Sequence, residues 1–392
     1  MAAAITAAQD SNNQVILFER QARVGRKLSA TGNGRCNLTN IHACEGGYHG
    51  TDVSFVERAL TLHSPDETLA WFHGLGLFTV TESTGKVYPF SDQANSVVDV
   101  LRFALDRPNI LLRTGFEVTK IKKSQDSFFV ENGEESVYCD RLIIAAGGLA
   151  GTKLGGTMAG YKLLRSLGHQ ITKLRPSLVQ LKSSWRGVSA LKGVRATCEA
   201  KIIQDGTVKA QSRGELQFTE YGLSGPVIFE ISRDVCQEKG EWSCLLDFLP
   251  NYSEDQLYVE LAKRKISILC ADELLTGILH NRLGRVLVQM TGIAFTTPIS
   301  QLTDEALWAV CRTVKALDVS ITEPLGMESA QVTAGGAFTS EFNPQTMESR
   351  LVCGLFACGE VLDVDGDCGG YNLQWAWSSG RVAGYYAGRG LN

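Results

Sequence analysis

The uncharged stretch at residues 2–9 (AAAITAAQ) passes through a turn of Asp10, Ser11, Asn12 and Asn13 into the apolar run Val15, Ile16, Leu17 and Phe18, which ends at Glu19. Alanine favours helix, and its small side chains let a helix lie close against a sheet. A short apolar run bounded by a polar turn reads as a strand. Helix, tight turn, strand and acid together make the second half of a βαβ unit. In a dinucleotide-binding unit a GxGxxG loop opens the helix, and a carboxylate about 20 residues later holds ribose hydroxyls. Counting back from Glu19 puts those glycines just ahead of Met1, so the first strand and its GxGxxG loop are absent from this chain. We expect Met1 to be an internal methionine of a longer natural chain; the competing expectation is a relative that has lost its phosphate loop.

The rest of the chain divides by texture. Ser64-Pro65-Asp66-Glu67 has a capping-box pattern. Val97, Val98, Leu101 and Leu105 keep helical spacing, and residues 109–118, 127–131 and 141–148 read as strands. Residues 155–167 look helical. From Pro176 short alternating segments separated by glycine and polar turns indicate an antiparallel β unit. A second capping box at Ser253-Glu254-Asp255-Gln256 and the helical spacing of Leu307, Val310, Cys311, Val314 and Leu317 follow. We therefore expect an α/β protein: a Rossmann-like nucleotide-binding domain at 1–172 and 323–392, interrupted by an antiparallel, β-barrel-like insert at 173–250 and a helical insert at 251–322.

Composition removes several classes. A formal charge of −4 over 392 residues offers no field to gather phosphate backbones or anionic lipid, so nucleic acid and membrane are not the expected partners. Eleven cysteines without a CxxC pair or zinc-ligand spacing indicate reduced thiols, no metal and a cytoplasmic setting. The six histidines, His42, His49, His63, His73, His169 and His280, show no catalytic constellation in their spacing, and no catalytic residue is assigned.

Two segments carry the chemistry. Residues 23–40 (RVGRKLSATGNGRCNLTN) combine three glycines with Arg23, Arg26, Lys27 and Arg35. Amides freed by glycine beside fixed cations suit a pyrophosphate, although the same residues also suit a polar surface loop. Residues 354–384 run from an apolar strand to Gly359-Glu360, and the paired Gly369-Gly370 opens a helix. A carboxylate at a strand end accepts hydrogen bonds from sugar hydroxyls, and helix amino-terminal amides stabilise negative charge. Close packing of the glycines is the plainer alternative. Asp363, Asp365 and Asp367 lack the Gly and distal Glu of a calcium loop.

RKLSATGNGRCNLTN, GKVYPFS at 85–91, VTAGGA at 332–337 and GEVLDVDGDCGGYNLQWAWSSG resemble the bacterial NAD(P)/FAD-dependent oxidoreductase family that includes aminoacetone oxidase and 3-dehydro-bile acid delta-4,6-reductase. The resemblance implies an FAD domain with an inserted flattened β-barrel and a helical domain. It implies Glu19 on the adenosine ribose and Val118 backbone at the adenine. Arg26, Lys27, Gly32, Gly34, Arg35 and Asn37 would line the pyrophosphate and ribityl region, with Ala146 and Gly147 near the phosphates. Thr333, Gly335 and Gly336 would face the ring, Glu360 would bind ribityl hydroxyls, and Gly370, Tyr371, Asn372 and Leu373 would meet the pyrimidine. The implied activity is NAD(P)H-linked reduction of a small organic acceptor such as a conjugated enone, NAD(P)H being a transient co-substrate. The alternatives are a flavin amine oxidase of aminoacetone type and a non-catalytic binding protein.

Overall fold

The computed structural model describes residues 1–389, which form two compact units: Met1–Arg175 with the segment from Gln331 onward, and Pro176–Ala330. In the first unit helix α1 (Ala2–Ala7) has every side chain buried. Its main partner is not the sheet its alanines suggest but the long helix that ends the described chain. The reason lies in a glycine stripe on that helix. A Cβ on Gly384 would stand 2.3 Å from the Ala3 carbonyl oxygen, and one on Gly388 would stand 3.0 Å from that of Ala7. Alanine against glycine therefore brings the two backbones together. Asn13 locks the pair, donating from Nδ2 to the carbonyls of Ala7 and Gly388 at 2.9 and 2.8 Å.

The turn delivers β1 (Val15–Glu19), which pairs in parallel with β2 (Ile110–Thr114), Glu19 opposite Thr114. A second parallel pair joins β3 (Leu142–Ile144) to β4 (Leu355–Ala357). The strand expected over 141–148 is thus cut to three residues, because Ala145–Gly148 leave the ladder and turn into a cleft. Likewise the expected helix at 155–167 starts only at Ala159, after a glycine turn. Helix α2 (Tyr371–Gly388) closes the unit. Gln374, fully buried, ties it to distant segments: Oε1 accepts from Thr39 Oγ1 at 2.6 Å, and Nε2 donates to the His63 carbonyl at 2.7 Å and to Thr68 Oγ1 at 2.9 Å.

The second unit contains a closed six-stranded antiparallel barrel in the order Leu181–Ser183, Gly222–Ser224, Thr207–Phe218, Arg195–Gln204, Trp242–Asp247 and Leu317–Pro324. Strict alternation of buried and open positions along Trp242–Asp247 fills its interior, and closure leaves no strand edge to template aggregation. Helices Glu254–Lys263, Asn281–Met290 and Asp304–Lys315 share one apolar core with it, Leu257, Leu287 and Val310 lying in the same cluster as Leu216 and Val319. The capping box at Ser253 is present in both halves. Leu317, placed on a helix by its spacing, instead begins the strand that closes the barrel. Among the described residues no helix is long and apolar enough to cross a membrane.

His63 makes the first unit sensitive to acid. Burial, and then the neighbouring Arg381 cation, push its pKa from 6.5 down to about 4. The unfolded chain therefore takes up a proton that the native state refuses, so stability is complete above about pH 6.5 and is lost as pH falls toward 4. Urea unfolding should show a lower midpoint at pH 5 than at pH 7, and His63→Asn should flatten that difference. A variant that retains the whole difference contradicts the assignment.

Candidate functional site

Segments far apart in sequence meet at the carboxyl ends of the two strand pairs. Glu19 ends β1, Phe116–Val118 follow β2, and Ala145–Gly148 follow β3; with Gly25–Leu28 and Gly155–Thr157 they line a cleft of about 300 Å³. This is the place where open parallel sheets present ligand crevices, and the volume sits at the lower end for such pockets.

Of the residues expected from the sequence, Glu19, Arg26, Lys27, Val118, Ala146 and Gly147 line this cleft. Glu19 Oε1 accepts the Gln21 N–H at 2.8 Å, and Arg26 donates to Gln21 Oε1 at 2.9 Å. Lys27 Nζ reaches Glu360 Oε2 at 2.7 Å. The other Glu360 oxygen accepts the Thr333 N–H at 2.8 Å, and Thr333 Oγ1 in turn accepts the Ala150 N–H at 2.8 Å. Gly148 is a steric requirement of this arrangement, since a Cβ there would fall 2.4 Å from Glu360 Oε1 and 2.5 Å from Thr333 Oγ1.

A second group gathers at the amino end of α2. Gly370, at φ +106°, lies so close to the Thr39 backbone that a Cβ would stand 2.4 Å from its carbonyl carbon. Asn40 Nδ2 donates to the Gly369 carbonyl at 3.1 Å, and Tyr48 Oη donates to that of Tyr371 at 3.2 Å. Asn372 turns its side-chain amide onto the Gly366 backbone, at 2.8 and 2.6 Å, while Leu373 packs into an apolar cluster. Asn37 faces the glycine pair, and its Oδ1 is buried without a hydrogen-bond partner.

Other expected residues are not brought to the cleft. Gly32 and Gly34 shape a loop that runs at positive φ with Asn33 and Cys36. Arg35 donates to Asp92 and Glu82 and lies 3.9 Å over the Tyr88 ring, so its charge clamps this loop instead of pointing inward. Gly335 and Gly336 are demanded by close backbone packing, where a Cβ would lie 2.7 Å from the Lys173 carbonyl oxygen and 2.3 Å from Leu362 C. Arg20, Gln21, Gly148 and Gly155–Thr157 line the cleft without having been singled out. Arg20 donates to the Gly155 carbonyl at 2.8 Å. The glycine density of residues 147–157 (GGLAGTKLGGT) was the available signal.

The acidic trio pins a neighbouring loop. Asp363 Oδ2 accepts from Thr51 N and Oγ1 at 3.1 and 2.8 Å, Asp365 pairs with His49 in a short antiparallel bridge, and Asp367 Oδ1 meets His49 Nε2 at 2.7 Å. His49, isolated in sequence spacing, thus acquires a charged partner in space. Among the described residues no His, Cys, Asp and Glu grouping could hold a metal ion.

A family model described as the HI0933-like protein Rossmann domain matches residues 1–386. A 3-dehydro-bile acid delta(4,6)-reductase of Clostridium scindens is 39% identical over 388 residues, covering 97% of this chain and 95% of that protein. Ribosomal RNA dihydrouridine synthases of Escherichia coli and Haemophilus influenzae are 30% and 28% identical, covering 95% and 93% of this chain and 91% and 90% of theirs.

Gly148→Ala should force the Glu360 carboxylate away from Thr333 and part it from Lys27. Overpacking of this kind costs about 1–3 kcal/mol, measurable by urea unfolding; an unchanged midpoint contradicts the packing described.

Proposed function

The chain belongs to the HI0933-like Rossmann-domain family, and from that premise we propose that it is an FAD-dependent oxidoreductase that reduces a carbon–carbon double bond conjugated to a carbonyl, with NAD(P)H as transient electron donor. The observation that carries this is the contact between segments 19–40 and 354–384, in which Lys27 of the cleft lining meets Glu360 at 2.7 Å. The donor set fits a flavin dinucleotide. A carboxylate at the end of β1, a lysine, amides of a glycine turn with Gly147 at φ +71°, and the orphaned Asn37 oxygen are groups that sugar hydroxyls, a pyrophosphate and a ring amide satisfy.

In this proposal Glu19 holds the adenosine ribose and Val118 backbone borders the adenine. Arg26, Lys27, Ala146 and Gly147 surround the pyrophosphate, and Glu360 takes ribityl hydroxyls. Asn37 and the amides of Gly370–Leu373 meet the pyrimidine side of the ring. Gly32, Gly34, Arg35, Thr333, Gly335 and Gly336 support these groups from behind, Arg35 through its two carboxylates and Thr333 through Glu360. The bound flavin supplies two-electron chemistry, and the protein supplies orientation and charge. Lys27 neutralises phosphate, and its departure from Glu360 frees one carboxylate oxygen for a hydroxyl.

The names of the relatives support the choice of acceptor. A 3-dehydro-bile acid delta(4,6)-reductase acts on ring double bonds beside a ketone, and a dihydrouridine synthase saturates a double bond conjugated to a pyrimidine carbonyl. Both are the same addition of hydride and proton. A small molecule is favoured over ribosomal RNA by the higher identity of the former, 39% against 30%, and by the formal charge of −4.

The test is an anaerobic absorption spectrum of the FAD-supplemented protein. Flavin absorption should be present, bleach on adding NAD(P)H and return on adding an enone. A protein that stays colourless contradicts FAD binding, bleaching by amines alone contradicts the reductase, and return of colour with ribosomal RNA but not with enones moves the substrate to RNA.

A further inference from the structure

We infer that His49 and Asp367 form the proton-delivering dyad of this reduction, an inference that rests on the proposed function. Strand Tyr48–His49 pairs antiparallel with Asp365–Gly366, and the Asp367 N–H donates to the Gly47 carbonyl at 2.8 Å, so the backbone presents both side chains on one edge. His49 Nε2 and Asp367 Oδ1 stand 2.7 Å apart, with the side chains 35% and 39% exposed. The pair lies beside the amino end of α2. A Cβ on Gly47 would touch Asp367 Oδ2 and Tyr371 Cε1, each at 2.8 Å, so carboxylate and ring flank a single point.

Carboxylate contact at one ring nitrogen fixes the tautomer, steadies the imidazolium and leaves the other nitrogen to exchange a proton. The remaining histidines differ from His49 in partner or in exposure, and His42 shares a carboxylate contact only with Glu45, three residues away. His169 also meets a carboxylate, Glu341 at 2.8 Å, but its second nitrogen is bound to Ser349 Oγ at 3.0 Å and the ring is fully buried. His63 Nδ1 is buried, His42 pairs with the exposed Glu45 on its own loop, and His280 Nδ1 caps a helix by accepting the Arg282 N–H. His73 packs edge-on against Phe78.

The step balances simply. The acceptor's double bond gains a hydride from the reduced flavin at the carbon remote from the carbonyl, and a proton from His49 at the adjacent carbon. The double bond becomes a CH–CH single bond, the flavin is left oxidised, and the neutral imidazole regains its proton from water. Asp367 acts as the positioning residue.

The holoprotein, reduced anaerobically with dithionite, is mixed either with a 3-oxo-4-ene bile acid or with ferricyanide, which takes electrons without a proton to carbon. His49→Gln should slow reoxidation by the enone by about 100-fold or more, the usual range for loss of a general acid, and leave reoxidation by ferricyanide unaltered. Asp367→Asn should show the same split more mildly, with Asp367→Glu partly restoring the rate. Enone reoxidation at wild-type rate in His49→Gln, or equal loss with both oxidants, overturns the dyad. A wild type that takes up no flavin overturns the proposed function and the dyad together. Without any cofactor, diethyl pyrocarbonate should modify His49 of the apoprotein before His169 and His63; modification no faster than theirs also overturns the inference.

Discussion

One contact organises the nucleotide-binding unit: the Glu360 carboxylate, held on one side by Lys27 and on the other by the Thr333 N–H. Lys27 and Glu360 are 333 positions apart in sequence, so the pairing closes a loop that spans most of the chain. Their side chains remain 33% and 19% exposed, which keeps the ion pair modest in strength and exchangeable. A fully buried pair would hold the fold more rigidly and resist exchange with a ligand. The half-open pair instead leaves both a cation and a carboxylate within reach of solvent, as the proposed function requires.

Backbone proximity does the rest, and glycine permits it. Gly384 against Ala3, Gly148 against Glu360 and Gly370 against Thr39 each bring main chain to within a distance that no side chain would tolerate. Beside these contacts Gln374 pairs its buried side-chain amide with Thr39, the His63 carbonyl and Thr68. The unpartnered Asn37 oxygen is one of several such buried atoms, Thr6 Oγ1 and His63 Nδ1 among them. The inserted barrel needs none of this. Its closed ladder and single apolar core make the segment from Pro176 to Ala330 a unit with its own interior.

Local chemistry was readable and remote chemistry was not. The strand Val15–Glu19, the strand Ser127–Glu131 and the caps at Ser64 and Ser253 follow from periodicity and hydrogen bonding within a few residues. Convergence of the Lys27 and Glu360 loops was legible only through glycine and charge placed after strands. Leu317 continues a helical apolar spacing but is claimed by the barrel, since Leu246 lies opposite it in the ladder. Arg35 looks like a phosphate ligand until Glu82 and Asp92, about 50 residues away, take its donors. His49 gives no local sign of Asp367, because the two meet only through strand pairing across 318 positions.

Hydrogen–deuterium exchange with and without FAD tests the central claim most directly, because it reads both halves of the cleft at once. Added FAD should slow amide exchange in residues 19–40 and in residues 354–373 together, and leave the barrel strands Arg195–Gln204 and Trp242–Asp247 unaffected. Protection confined to one of the two segments, or found in neither, would contradict a single cradle built from both.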